Sequence, residues 1–117
     1  MNTVLVIESD HDLRVELRRH LEGLGYFIFS AGSAVDGLAV LQRIKTPCVV
    51  LLSTTLSLMA YDEFLLLKSR ESALADIPVI LLANSKQELP SGLEVQAIVL
   101  KPLNMQTLEK TIRKFCE

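Results

Sequence analysis

Three short stretches of this chain hold residue types that can do chemistry together: Glu8-Ser9-Asp10, Ser53-Thr54-Thr55, and Lys101. Each follows directly on an apolar run. Carboxylates beside a lysine suit a cation or a phosphoryl group, whereas a serine hydroxyl, with a pKa far above neutrality, attacks only with the help of a base. Asp10, His11 and Ser53 together contain the types of a hydrolytic triad. Ser53 lacks the Gly-x-Ser-x-Gly setting of an exposed nucleophile, however, and a histidine at a helix start reads as solvated. Ser53-Thr54-Thr55 could cradle a phosphate, but such a loop normally follows the first strand, and a polar strand end is the simpler reading. Gly23-x-Gly25 is half of a dinucleotide fingerprint in the wrong order: it precedes a strand, and so reads as a helix C-cap.

The elements that must position these residues are apolar runs of strand length alternating with helix-like segments, a pattern that predicts βαβ units and a parallel sheet covered on both faces. The strands are expected at Val4 to Ile7, Tyr26 to Phe29, Cys48 to Leu52, Pro78 to Leu82 and Ala97 to Leu100. Leu13, Leu17, Leu21 and Leu24 keep one face of the first helix inward. The second helix opens on Ser33 with Asp36 three residues on, like a capping box, and turns Leu38, Leu41 and Ile44 inward. The third runs from Asp62 to about Arg70; its Phe64-Leu65-Leu66-Leu67 run spans about 300° of helix circumference, so at least one side chain should point away from the sheet. Ala83 to Glu94 holds only about one turn of helix-compatible sequence between Ser85 and Pro90-Ser91-Gly92, which predicts a short fourth helix or a loop. Asn104 caps the last helix, Leu103 and Leu108 form a hydrophobic staple, and Leu108, Ile112 and Phe115 face inward.

With 117 residues, half of them apolar, the chain is expected to form one domain, residues 1–117, around one core. Twelve basic against fourteen acidic residues give a net charge of −2, which provides no basic face for a nucleic-acid backbone. Cys48 and Cys116 lack metal or redox spacing and read as reduced, small apolar residues, so no disulfide is expected. Met1-Asn2-Thr3 carries no basic leader, and no apolar run approaches the roughly 20 residues of a membrane helix, so a cytoplasmic location is expected.

Val4-Leu-Val-Ile-Glu-Ser-Asp10 followed by Asp12-Leu13-Arg14, Asp76-Ile-Pro-Val-Ile-Leu-Leu82, and Leu100-Lys101-Pro102 resemble, in that order and spacing, the receiver domain of two-component response regulators. The resemblance spans nearly the whole chain. It implies a flavodoxin-like (βα)5 fold, a doubly wound parallel five-stranded sheet of order 2-1-3-4-5, here with a shortened fourth helix and with its crevice beyond the carboxyl ends of strands 1 and 3. In that family an aspartate after strand 3 takes a phosphoryl group from a histidine kinase; here the position is Ser53. The paired acids that hold Mg²⁺ match Glu8 and Ser9, the Thr or Ser that senses the phosphoryl group matches Ala83, and the aromatic switch matches Ile98. Lys101 matches the family's lysine. Asp10, which could stand in as a metal ligand, is read as a helix cap.

The resemblance therefore implies a degenerate phosphorylation pocket of Glu8, Ser9, Asp10, Ser53, Ala83 and Lys101, with no catalytic residue, no metal and no cofactor. Lys101, lacking a phosphate, is expected to pair with Glu8 and with Asp10 as a second candidate. The implied function is a pseudo-receiver: a phosphorylation-independent protein-interaction module whose partner is a signalling kinase, an output module or a second copy as a homodimer, and neither nucleic acid nor membrane. The alternative is a working phosphorelay receiver with an atypical acceptor, such as Ser53.

Overall fold

Five runs rich in Val, Ile and Leu form the parallel strands β1 (Thr3–Ile7), β2 (Phe27–Ala31), β3 (Val49–Ser53), β4 (Val79–Ala83) and β5 (Ala97–Leu100). The computed structural model describes residues 2–86 and 92–116. Within them lie four helices, α1 (His11–Gly23), α2 (Ala34–Leu41), α3 (Tyr61–Ser69) and α4 (Met105–Arg113). The strands pair in the order β2-β1-β3-β4-β5, as expected. The residues between β4 and β5 that are described form no helix; the rest of the expected short fourth helix falls on 87–91, outside the described residues. No helix among the described residues is long and apolar enough to cross a membrane.

Both faces of the sheet are covered, which is why β3 and β4 are apolar at nearly every position. Val4, Val6, Val49, Leu51, Ile80 and Leu82 turn toward α1 and α4 and pack on Leu17, Leu21, Leu108 and Ile112. Leu5, Ile7, Val50, Leu52, Val79 and Leu81 turn the other way, onto Ala34 and Leu41 of α2 and Phe64 and Leu65 of α3. Gly37 brings α2 down on β1: a Cβ at this position would lie 2.8 Å from Ile7 Cγ1 and closer still to Cδ1. The buried Lys68 of α3 donates to the Ala75 carbonyl at 3.0 Å and so ties the α3–β4 loop to the helix.

The helix ends follow their capping chemistry. Asp10 Oδ1 accepts from the Asp12 and Leu13 amides, Ser33 Oγ from Asp36, and Asn104 Oδ1 from Thr107. At the end of α1, Gly25 takes φ of +97°, its amide bonds to the Glu22 carbonyl, and the Tyr26 amide bonds to Leu21, the paired-bond turn that glycine permits. That turn leaves Leu24 half exposed, against the expectation that it faces inward. Ile44 also departs from expectation, because α2 stops at Leu41 and Ile44 sits in the turn beyond it.

At the outer edge of the sheet, Phe27 N–H and Ala31 C=O bond toward the β1 side, so the even-numbered backbone groups of β2 face outward. Arg18 occupies that edge: its guanidinium donates to the Ile28 carbonyl at 3.1 Å and to Ser30 Oγ at 3.0 Å.

The two cysteines, expected to be reduced, are joined. Cys48 precedes β3, Cys116 follows α4, and a disulfide links them with 5.4 Å between their Cα atoms. The expectation failed because their separation of 68 residues carries no local signal. Only the winding of the sheet, which lays α4 along the face that β3 contributes to, brings them together. A loop of that length corresponds to roughly 4 kcal/mol in the loop-closure treatment of cross-links.

Candidate functional site

Parallel strands place their carboxyl ends, and the polar residues that follow, on one rim of the sheet. β1 delivers Glu8, which is 1% exposed, and β3 ends in Ser53, which is fully buried. β5 leads into Lys101, whose amide is fixed to the Ala83 carbonyl at 2.7 Å. The lysine reaches across the rim: its Nζ donates to Glu8 Oε1 at 2.7 Å and to Ser53 Oγ at 3.1 Å. The expected ion pair with Glu8 is thus present, and one ammonium group links three strand ends.

Further bonds close the rim around it. Glu8 Oε2 accepts the Asp10 amide at 3.1 Å, while the Glu8 carbonyl takes the Arg14 guanidinium at 2.7 Å. Ser53 Oγ accepts the Thr55 amide at 3.1 Å in addition to the Lys101 amine. Ser9, which is exposed, donates its hydroxyl to the Thr55 carbonyl at 2.9 Å, and Asn84 Nδ2 donates to Thr55 Oγ1 at 2.9 Å. Loops after β1, β3 and β4 are therefore stitched to one another above the buried pair. Among the described residues no buried side-chain nitrogen or oxygen lacks a partner.

Of the sequence-derived positions, Glu8, Ser53 and Lys101 share one set of bonds, and Ser9 joins them through Thr55. Asp10 joins through its backbone amide on Glu8 Oε2, while its side-chain Oδ1 is occupied with the start of α1 and makes no bond to Lys101. Ala83, fully buried, contributes only backbone; Ile98 is part-exposed on β5. Asp10, His11 and Ser53 are not brought together as a triad: His11 is exposed and lies 3.4 Å from an Arg14 nitrogen, while Ser53 is held by Lys101. Arg14 was not singled out for the site from sequence, yet it fixes the Glu8 backbone. Its place in the first turns of the helix that follows Glu8 was the available signal.

No protein-family model matches the chain, and no curated protein matches it. Solved structures do. CheY4, the chemotaxis response regulator of Vibrio cholerae, superposes with a TM-score of 0.90 at 21% identity, with 98% of each chain covered. This is the receiver fold. The signal receiver domain of a DNA binding response regulator protein (merR) from Colwellia psychrerythraea 34H gives a TM-score of 0.83 at 28% identity, covering 97% of each chain. The receiver domain of the sensor histidine kinase PA1611 from Pseudomonas aeruginosa PAO1 gives 0.87 at 13%, covering 97% of this chain and 96% of that one. That structure has a magnesium ion coordinated in its active-site cleft. On the receiver fold, the rim of Glu8, Ser53 and Lys101 lies at the carboxyl ends of strands 1, 3 and 5.

Proposed function

We propose that this chain is a pseudo-receiver: a receiver-fold domain of two-component signalling that acts by binding a protein partner, without catalysis and without phosphorylation of an aspartate. One observation carries the reading. The position after β3 is a serine with no exposed surface, and its oxygen already accepts hydrogen bonds from the Lys101 amine and the Thr55 amide. Such a hydroxyl is presented neither to a phosphohistidine nor to a serine kinase.

The donor set also does not suit Mg²⁺, which asks for several hard oxygen ligands and gives up its water reluctantly. Glu8 supplies the one carboxylate of the rim cluster, and Lys101 holds one of its oxygens. A divalent cation there would face an ammonium group at close range. No three His, Cys, Asp or Glu side chains gather into a metal-holding group among the described residues. The reading therefore includes no resident metal.

A surface role is supported by part-exposed apolar side chains on the β5 side, Leu66 of α3 and Ile98 and Leu100 of β5, and by Leu58, 86% exposed, in the loop before α3. Leu66 is the outward leucine that the third-helix run required. The partner is a protein, whether a kinase, an output module or a second copy, in the cytoplasm; a net charge of −2 gives nucleic acid no footprint. The whole chain, residues 1–117, is read as the interacting domain.

The test is exposure to acetyl phosphate and Mg²⁺ followed by intact mass, with a parallel titration of beryllium fluoride and Mg²⁺ followed by NMR. Unchanged mass and no cluster of shifts at Glu8, Ser53 and Lys101 are expected. A labile gain of one phosphoryl group would establish the alternative, a working receiver with Ser53 or another residue as acceptor.

A further inference from the structure

The Cys48–Cys116 bond joins two residues whose access to solvent differs. Cys48 is half buried at the entry to β3, whereas Cys116 is 1% exposed, packed into the core that α1 and α4 share with the sheet. Cys48 is the more accessible residue of the pair, so a thiol in solution meets it first. The surroundings also suit the open state. Leu108 and Ile112 are fully buried and hold α4 on the sheet independently of the cross-link, and both cysteine positions pack among apolar side chains. Thr3 O lies 3.2 Å from Cys48 Sγ, an acceptor in place for a thiol S–H. Opening the bond thus removes a covalent tie without leaving a buried polar group unpaired.

We propose that Cys48 and Cys116 form a thiol–disulfide exchange site, a reversible cross-link between the last helix and the sheet whose reactants are small thiols and disulfides of the glutathione class. In closing, the Cys48 thiolate attacks one sulfur of a small-molecule disulfide, that disulfide's S–S bond breaks, and one thiol leaves. The Cys116 thiolate then attacks the Cys48 sulfur of the mixed disulfide and expels the second thiol. Two protein thiols lose two electrons and two protons, and the reagent gains both as two thiols. Opening runs in reverse: a small thiolate attacks Cys48 and Cys116 leaves, then a second small thiolate attacks the small-molecule sulfur of the mixed disulfide and Cys48 leaves. The physiological setting rests on the cytoplasmic reading, since disulfides in that compartment are characteristically transient. The exchange chemistry is independent of the pseudo-receiver reading, and its test fails or succeeds separately.

The experiment equilibrates the full chain in buffers of graded reduced-to-oxidised glutathione ratio, quenches with an alkylating reagent and reads intact mass, with NMR dispersion recorded on each sample. The bond is expected to open and close reversibly along the series, with the chain folded throughout and shifts confined to the surroundings of Cys48 and the end of α4. In oxidised glutathione, Cys116→Ala should form the mixed disulfide at Cys48 about tenfold or more faster than Cys48→Ala forms it at Cys116, because reactivity follows access. A bond that stays closed across the series, or opens only as the chain unfolds, overturns the proposal. Equal labelling of the two variants overturns it as well, and the wild-type series decides the question even where a variant does not fold.

Discussion

The Lys101 ammonium and the Glu8 carboxylate are a buried ion pair, and the two partners are unequal: Glu8 is 1% exposed, while the lysine side chain keeps 17% of its surface. Removing the lysine strands a carboxylate with no route to water, and breaking one side of such a pair costs about 3–5 kcal/mol. Lys101→Met should lower stability by about that amount, whereas adding Glu8→Leu should recover most of it, because two apolar residues need no partners. Urea unfolding of the two variants measures the difference, and a double variant no more stable than the single would contradict the account. The pairing was legible in the sequence, since a lysine at one strand end without a phosphate needs a counter-charge and Glu8 stood at another. The Arg14 bond to the Glu8 carbonyl was not, because a guanidinium on a helix can face several ways until the helix is docked.

Among the elements, α2 is placed by an absence of side chain. Gly37 sits in the helix interior, where glycine is the poorer choice by about 1 kcal/mol against alanine. Here the alanine methyl would be driven into Ile7, itself fully buried. Overpacking of that kind costs about 1–3 kcal/mol and outweighs the propensity gain. Gly37→Ala is therefore expected to lower the unfolding midpoint in urea; an increase would mean that Ile7 repacks freely. Element existence and order were legible because periodicity, caps and turn residues agree: Ser33, Asn104 and Gly25 each do the local job their types suggest. The ends were less so. Leu24, three residues after Leu21, continues the helical periodicity of α1 in sequence, but the glycine turn has already ended the helix, so periodicity alone placed it inside. Which of the α3 leucines faces outward required the docked helix, because the run is apolar on nearly every side.

For the molecule as a whole, stability should respond to pH through Lys68. Burial pushes its amine down from the ordinary 10.5, partly offset by Asp76. The folded chain then releases this proton at a lower pH than the unfolded chain does, so between the folded value and 10.5 the unfolded state binds more protons and stability rises with pH. The Tyr26 phenol is pushed above 10.0 by burial and by Glu109. Its contribution is therefore complete below 10.0 and is lost as pH climbs through its folded value. Urea midpoints of the wild type, set against Lys68→Met from neutral pH upward, should show a rise that the variant lacks; parallel curves would remove Lys68 as the cause. The global winding was legible because two periodicities and the rim residues agree on it, while the cross-link was not, being a property of the closed shape. That shape also has a preferred limit on assembly. A fibre grown by edge-to-edge strand addition needs two open edges on every molecule, and with Arg18 seated on the Ile28 carbonyl the β2 edge has one of its outward acceptors already taken. An arriving strand must displace that guanidinium at the β2 edge and not at the β5 edge, and a molecule that favours one edge for pairing favours a pair over a fibre.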